Sequence, residues 1–183
     1  MTISCLVVTG HSDLPETHLI MGLYKAGIDI EVMCPRSAPH RDLLVDTGVS
    51  VFDLDLTGRW DREGIVQIKA RLRGRTVNII HAFNNKAVSN ALFAAKGYDG
   101  KFIAYRGIEG NVSYYDPMSW TTYLHPRVDV IVCVADSIRR YFWNMKILGF
   151  PAPVKKAAAI IKSCDICILP AIKREGLPKG IIE

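Results

Sequence analysis

The sequence predicts a doubly wound α/β fold: a parallel, Rossmann-like sheet with helices on both faces, followed by a short αβα segment. Two patterns carry this expectation. Short runs of Val, Ile and Leu recur along the chain, and stretches with apolar residues at helical spacing lie between them. The runs are continuous rather than alternating, which is the mark of strands buried on both faces. With 183 residues, 49% of them hydrophobic, the chain has material for one well-filled domain plus a fragment.

Taken in order, Ile3–Thr9 reads as a buried strand, Gly10–Pro15 as a loop, and Glu16–Ala26 as a helix with apolar residues at 19, 20, 23 and 26. Ile28–Cys34 is a second strand, ended by Pro35. Ser50–Leu54 is a third, with a helix near Arg62–Leu72. Val77–His81 is a fourth strand and Lys86–Lys96 its helix. Lys101–Arg106 and Asp129–Val134 complete the strands, with a helix near Asp136–Leu148. Pro151 and Pro153 mark a change of pattern. Residues 1–153 therefore read as one domain, and 154–183 as a helix (Val154–Ser163), a strand (Asp165–Leu169), a turn and a helix start. A fragment that small cannot cover two sheet faces by itself, so it is expected to pack on the first domain, to pack on another chain, as in a homo-oligomer, or to stay mobile.

Composition narrows the function. The net charge is +5, of which residues 151–183 carry +3. That excess suits an anionic ligand or a membrane surface and is too small to indicate nucleic acid. Five cysteines, at 5, 34, 133, 164 and 167, lie mostly in apolar runs and read as buried thiols. Cys164 and Cys167 have C-x-x-C spacing, but on a strand they point to opposite faces, so no metal site is expected. The start lacks the basic region of a signal peptide and reads as a strand, and no apolar run reaches the length of a membrane span. The expected location is the cytoplasm.

In sheets of this kind ligands bind outside the carboxyl ends of the strands. That singles out the loops at 10–15, 34–40, 81–86 and 106–120. The last contains Tyr114, Tyr115 and Trp120, with Tyr123 just beyond, and reads equally as a lid or as a loop whose aromatics pack on the domain. His81, at the tip of a strand, is the first candidate for a sugar contact, with a strand-end histidine bonded to a neighbouring loop as the plainer alternative. His11 lies near the cleft, whereas His18 reads as structural. Arg139, Arg140, Tyr141, Phe142, Trp143, Lys146 and Ile147 form a cationic, aromatic helix. It reads first as a packed helix with a basic outer face and second as a contact for anionic lipid.

The most specific stretch is Asp165-Ile-Cys-Ile-Leu-Pro-Ala-Ile-Lys-Arg-Glu-Gly-Leu-Pro-Lys-Gly-Ile-Ile-Glu183, in which two carboxylates stand eight apart after a strand and a glycine turn. It resembles the E-x7-E region of the retaining GT-B glycosyltransferases of family four. The glycine turn after the first strand, Asn78-Ile-Ile-His-Ala82 and Asp129–Arg140 are similar to that family's N-terminal domain.

The resemblance implies two facing Rossmann-like domains, an acceptor half and a nucleotide-sugar half. Glu175 would then contact donor-sugar hydroxyls, Glu183 the ribose, and the amides of Gly176 and Leu177 the diphosphate or sugar. The Gly10–His11 loop would close from the other side. His81, Arg106 and Glu175 would be the catalytic residues. The substrates would be a nucleotide-sugar and a glycan or lipid-linked acceptor in bacterial surface-polysaccharide synthesis, with no cofactor and no metal.

The chain also departs from the family. Arg106 stands where the family often has a histidine, and an arginine cannot serve as a base at neutral pH. Phe83 replaces a second histidine. The family's Arg/Lys pair for the diphosphate does not occur, and a seam falls near Val154–Ala157. An internal deletion would produce that seam, and so would a numbering closed over missing residues. The competing expectations are a non-enzymatic module that binds a membrane or partner, and an oxidoreductase. Against the oxidoreductase, Gly10-His-Ser-Asp-Leu-Pro lacks G-x-G-x-x-G.

Stabilising the leaving diphosphate is usually the dominant catalytic demand. Without the cationic pair, the isolated chain is expected to bind nucleotide-sugars weakly or not at all in calorimetric titration. Micromolar binding, or measurable sugar transfer, would overturn that expectation.

Overall fold

The computed structural model describes residues 3–147. The expected strand at 165–169, the helix at 154–163, the Cys164–Cys167 pair, the boundary at 153 and the residues Glu175, Gly176, Leu177 and Glu183 lie outside the described residues.

Twelve elements are described, six strands and six helices. They are β1 (Ser4–Val8), α1 (Leu14–Lys25), β2 (Asp29–Cys34), α2 (Arg41–Asp46), β3 (Ser50–Asp53), α3 (Arg62–Gly74), β4 (Ile79–Phe83), α4 (Asn84–Ala94), β5 (Lys101–Arg106), α5 (Pro117–Trp120), β6 (Val130–Cys133) and α6 (Asp136–Ile147). The strands form one parallel sheet in the order β3-β2-β1-β4-β5-β6. The expected Rossmann-like α/β fold is therefore the observed one. The chain order reverses between β1 and β4, so the two halves of the sheet diverge there and a crevice opens at their carboxyl ends.

Burial follows from this topology. Every residue of β1 is buried. Leu6 and Val8 face a core built with Ile68 and Leu72 of α3, Val88 and Ala91 of α4, Phe102 of β5, and Ile138 and Phe142 of α6. Cys5 and Val7 face the other core, with Ile20 of α1, Leu44 of α2 and Phe83 of β4. The alternation of side chains across the pleat thus feeds both cores from one strand. Burial pushes the Cys5 thiol up to about 12, so it stays protonated and acts as a small apolar group.

Three local departures from the sequence pattern have physical causes. β4 begins two residues later than its apolar run suggests. Asn78 is occupied as a suture: its Oδ1 accepts from the Ser4 backbone N–H at 2.9 Å and its own N–H donates to the Ser4 carbonyl at 2.9 Å. α4 begins earlier than expected because Asn84 takes a left-handed φ of 60° and its Oδ1 accepts from the Ala87 N–H at 3.1 Å, capping the first turn. α2 and α5 have no counterpart in the pattern. α2 is six residues long, and His40 at its start makes no side-chain cap. α5 is one turn, started by Asp116 and Pro117. Among the described residues no helix is long and apolar enough to cross a membrane.

Gly100 precedes β5 where the chain passes the backbone entering β4. A Cβ there would stand 2.7 Å from the Val77 carbonyl oxygen, which belongs to the backbone and cannot swing away. Gly100→Ala is expected to cost roughly 1–3 kcal/mol in denaturant unfolding. Gly58→Ala, where a Cβ meets nothing within 4 Å, should stay within about 0.5 kcal/mol.

Candidate functional site

A cavity of about 730 Å³ opens at the carboxyl edge, at the β1–β4 reversal. Its walls come from six connections. The β1–α1 loop supplies Gly10, His11, Asp13 and Glu16, and the start of α4 supplies Asn84, Asn85 and Lys86. The end of β5 supplies Tyr105, Arg106 and Ile108, while Leu56, Tyr123 and Val134 close the sides.

The β1–α1 loop is organised by one hydroxyl. Thr9 is fully buried. Its Oγ1 accepts from the backbone N–H groups of His11 (3.3 Å) and Ser12 (3.2 Å) and donates to Oε2 of Glu16 at 2.9 Å. A hydroxyl has one proton and two lone pairs, so its capacity is filled. Ser12 sits at a φ of 52°, a strained value for a residue with a side chain, and its Oγ lies 3.0 Å from the Thr17 hydroxyl. Thr17 in turn donates to the Asp13 carbonyl at 2.8 Å. Gly10 approaches α4 closely, since a Cβ there would lie 3.1 Å from Asn84 Nδ2.

Glu16 is the group that the sequence pattern did not single out. It is 8% exposed. Burial pushes its carboxyl up to about 7, against the Thr9 hydrogen bond and with a contribution from the Asp13 charge. Because the Thr9 proton is directed at Oε2, a proton on Glu16 belongs on Oε1, where the side chain lines the cavity. Near neutral pH this carboxyl can therefore offer a ligand hydroxyl either a donor or an acceptor. The opposite wall holds the Tyr105 phenol, which burial and the charges of Glu16 and Asp13 raise to about 12.

Asp13 caps α1 by accepting from the Glu16 N–H at 3.1 Å. The positive end of this helix already faces two carboxyl groups. In a dinucleotide-binding Rossmann fold that helix end holds the pyrophosphate. Here an entering phosphate meets Asp13.

The expected site residues separate into those at the cavity and those elsewhere. Gly10, His11 and Arg106 line it, and His11 is exposed. His81 does not occupy a strand tip. It lies inside β4, paired in register with Val7 and Ile103, 6% exposed, with Nε2 buried and without a hydrogen bond. Its ring stacks at 4.3 Å on Phe83, and burial lowers its pKa to about 4, so it is a neutral packed ring away from the cavity walls. The cause is the two-residue shift of β4, which carries Phe83 and Asn84 to the edge in its place. His18 is exposed on α1.

Arg106 is 4% exposed and is held by the chain around it. It donates through Nε to the Ile108 carbonyl at 2.7 Å, through one terminal nitrogen to Asn85 Oδ1 at 3.2 Å, and through the other to the Gly110 carbonyl. Its guanidinium lies 4.7 Å from the centre of the Tyr123 ring. It therefore fixes the 107–110 loop to the start of α4. The aromatics of the 106–123 stretch mostly pack: Trp120 donates to the Tyr114 carbonyl at 2.9 Å and Tyr123 is buried, while Tyr115 is exposed. The described α6 side chains, those of 136–142, are also engaged, and Trp143, Lys146 and Ile147 lie outside the described side chains. Arg139 and Arg140 both pair with Asp136, Phe142 is buried, and the Tyr141 hydroxyl donates to the Val112 carbonyl at 2.7 Å.

No family model matches the sequence, and neither does any curated protein. Solved structures share its fold. Acinetobacter baumannii MurG superposes with a TM-score of 0.54 at 10% identity, over 72% of this chain and 41% of its own. Anabaena HepE in complex with UDP gives 0.56 at 14% identity, over 79% of this chain and 41% of its own. Both are GT-B proteins, and this chain spans about two fifths of their length. A Burkholderia multivorans structure described as a short-chain alcohol dehydrogenase gives 0.53 at 13% identity, over 81% of this chain and 91% of its own.

Two buried groups of this region link stability to pH in opposite senses. Glu16 has a folded pKa above its unfolded value, so its stabilising effect is complete below about 4.5 and is lost as pH rises through about 7. His81 has a folded pKa below its unfolded value, so its effect is complete above 6.5 and is lost as pH falls through about 4. Glu16→Gln is expected to stabilise the chain at pH 8 by on the order of 2 kcal/mol relative to the parent and to leave it unchanged near pH 4. His81→Leu should flatten the acid side alone. Thermal unfolding from pH 4 to 8 measures both.

Proposed function

We propose that this chain supplies the acceptor-side Rossmann-like domain of a GT-B glycosyltransferase that uses a nucleotide-sugar. The observation that carries the reading is the cavity at the β1–β4 reversal, together with the charge at its floor. Its walls present Glu16, Asp13, Asn84, Asn85, Lys86 and Tyr105, a set of short-range donors and acceptors beside aromatic rings. Such a set suits a ligand rich in hydroxyls. The fold shared with MurG and HepE, the latter solved with UDP, supports the same reading.

The resemblance extends the proposal. Transfer would be of the retaining, family-four type. Glu175 and the amides of Gly176 and Leu177 would hold the donor, and Glu183 its ribose. The acceptor would be a glycan or a lipid-linked sugar of bacterial surface-polysaccharide synthesis, met in the cytoplasm at the inner face of the membrane. Residues 154–183 would join a second copy where an oligomer forms. Arg106 enters as a positioning residue, since its donors hold the loop that closes one cavity wall. His11 remains the exposed histidine at the mouth.

A second reading, a nucleotide-dependent oxidoreductase, draws on the 91% coverage of the dehydrogenase chain. Asp13 at the α1 terminus opposes it, because it places negative charge where a dinucleotide pyrophosphate would sit.

Chemical-shift mapping on the labelled chain separates the two readings. Titration with glucose, mannose and N-acetylglucosamine is expected to move the amides of 84–86 and 105–108, while NADH leaves the 10–16 loop unchanged. Micromolar NADH binding at 10–16 would establish the oxidoreductase reading. Silence of the cavity amides toward every sugar would remove the acceptor reading.

A further inference from the structure

The chain's positive charge is concentrated in one segment. Residues 59–75 hold six Arg and Lys against two acids, a net +4, whereas the remaining described residues hold eleven cations and thirteen acids, a net −2. Within that segment the cations divide by task. Arg75 pairs with Asp29 and Glu31. Arg71 lies 3.2 Å over the Phe52 ring, and Arg59 interacts with Asp116. Arg62, Lys69 and Arg73 remain, and among the described residues none of them makes an ion pair.

These three belong to one face. α3 buries Gly64, Ile68 and Leu72 against the sheet and α4. Positions 62, 66, 69 and 73 repeat at helical spacing on the opposite side. The stripe therefore reads Arg62, Val66, Lys69, Arg73 and spans roughly 16 Å at 1.5 Å per residue. Arg62 and Arg73 are exposed, the Lys69 stem is half-buried, and Val66 is 66% exposed. Trp60, 59% exposed, stands at the head of the helix. Across the sheet, α1 and α2 present Asp42 and Asp46 with Lys25 and Arg41, two charges of each sign, while Glu16 is buried. The outward face of α3 is thus positive, and the helices across the sheet carry balanced charge.

We propose that the outward face of α3 docks on an anionic phospholipid surface, with Arg62, Lys69 and Arg73 at the headgroups and Val66 and Trp60 at the interfacial layer. A straight cationic stripe matches a plane of mobile negative charge along its whole length, and an exposed Trp and Val add the apolar contact that such interfaces accept. Nucleic acid is the poorer match. Three cations on one face neutralise few phosphates, and the apolar Val66 sits where a phosphate backbone would run. On α6, Arg139 and Arg140 are both paired with Asp136, and Trp143, Lys146 and Ile147 of the expected lipid contact lie outside the described side chains. The proposal rests on α3 alone and stands or falls independently of what the cavity binds.

Co-sedimentation of the full chain with vesicles tests it. Binding is expected to phosphatidylcholine vesicles containing about 30% phosphatidylglycerol, weakening steeply between about 0.05 and 0.5 M salt, and not to phosphatidylcholine alone. Each cation near such a surface contributes roughly fivefold, so the triple variant Arg62→Gln, Lys69→Gln, Arg73→Gln should lose about 100-fold in partition. Lys25→Gln on α1 should leave binding unchanged, and circular dichroism confirms that both variants are folded. Absence of binding to anionic vesicles, equal binding to neutral ones, or undiminished binding by the folded triple variant would each overturn the proposal. So would retention of a single-stranded RNA probe by a chain that leaves vesicles unbound.

Discussion

Strand β1 is buried on both faces, and the remaining architecture follows from that condition. A strand with no solvated face leaves polar chemistry only at its ends. Its neighbours β2 and β4 run parallel to it, so each return crosses the sheet through a helix, and because the strand order runs outward from β1 in both directions, α1 and α2 cover one side and α3, α4 and α6 the other. The carboxyl end of β1 then becomes the one place where the chain turns from a two-sided core into open loop beside the divergence of β4. Thr9, the next residue, is still fully buried but polar. Its hydroxyl organises the loop because a buried hydroxyl has to be satisfied.

That satisfaction determines the character of the cavity. Two loop amides take the lone pairs of Thr9, so its proton must go to Glu16, and the carboxyl is thereby held inward with one oxygen committed. Asp13 holds the same helix end from outside. A helix terminus in this position is ordinarily an anion site, and here it is neutralised by the chain's own acids. The charge at this helix end therefore tells it apart from an open anion site on the same topology. A superposition cannot do so, since backbone similarity at 10–15% identity reports the fold and nothing of the charge.

The sheet was largely legible in the sequence because continuous Val/Ile/Leu runs have few other uses; Lys101–Arg106 was placed to the residue. What escaped depended on long-range contacts. The run at Val77 looks like a strand start, yet Asn78 is held as a suture to Ser4, seventy-four positions away, and that displaces β4 toward its end. The shift of two residues keeps the same face inward but changes which side chain reaches the edge. His81 moved into the core by this route. Glu16 escaped for a different reason. A glutamate in the first turn after an Asp cap is ordinary helix-start chemistry. Its burial is created by Thr9 and by β5, whose Tyr105 senses its charge, and neither contact is visible in local pattern. α2 and α5 escaped because one- and two-turn helices have no period to detect.

Arg106 shows how a substitution at an expected catalytic position can change the kind of work done there. At the end of β5 a histidine would present one ring nitrogen to a ligand. The arginine instead uses three of its nitrogens on Ile108, Asn85 and Gly110, tying its own loop to α4. It also stacks over Tyr123, which burial keeps protonated. A guanidinium at this position is a fixed cation in the lining of the cavity that Asp13 and Glu16 also line, so groups of both signs border one space. A neutral, hydroxyl-rich ligand can hydrogen-bond to both without displacing either charge from its partners, whereas a strongly anionic one would have to override the acids at α1. The asymmetry is built from residues already held by partners within the chain, and it is the ground on which the proposed hydroxyl-rich ligand is favoured over an anionic one.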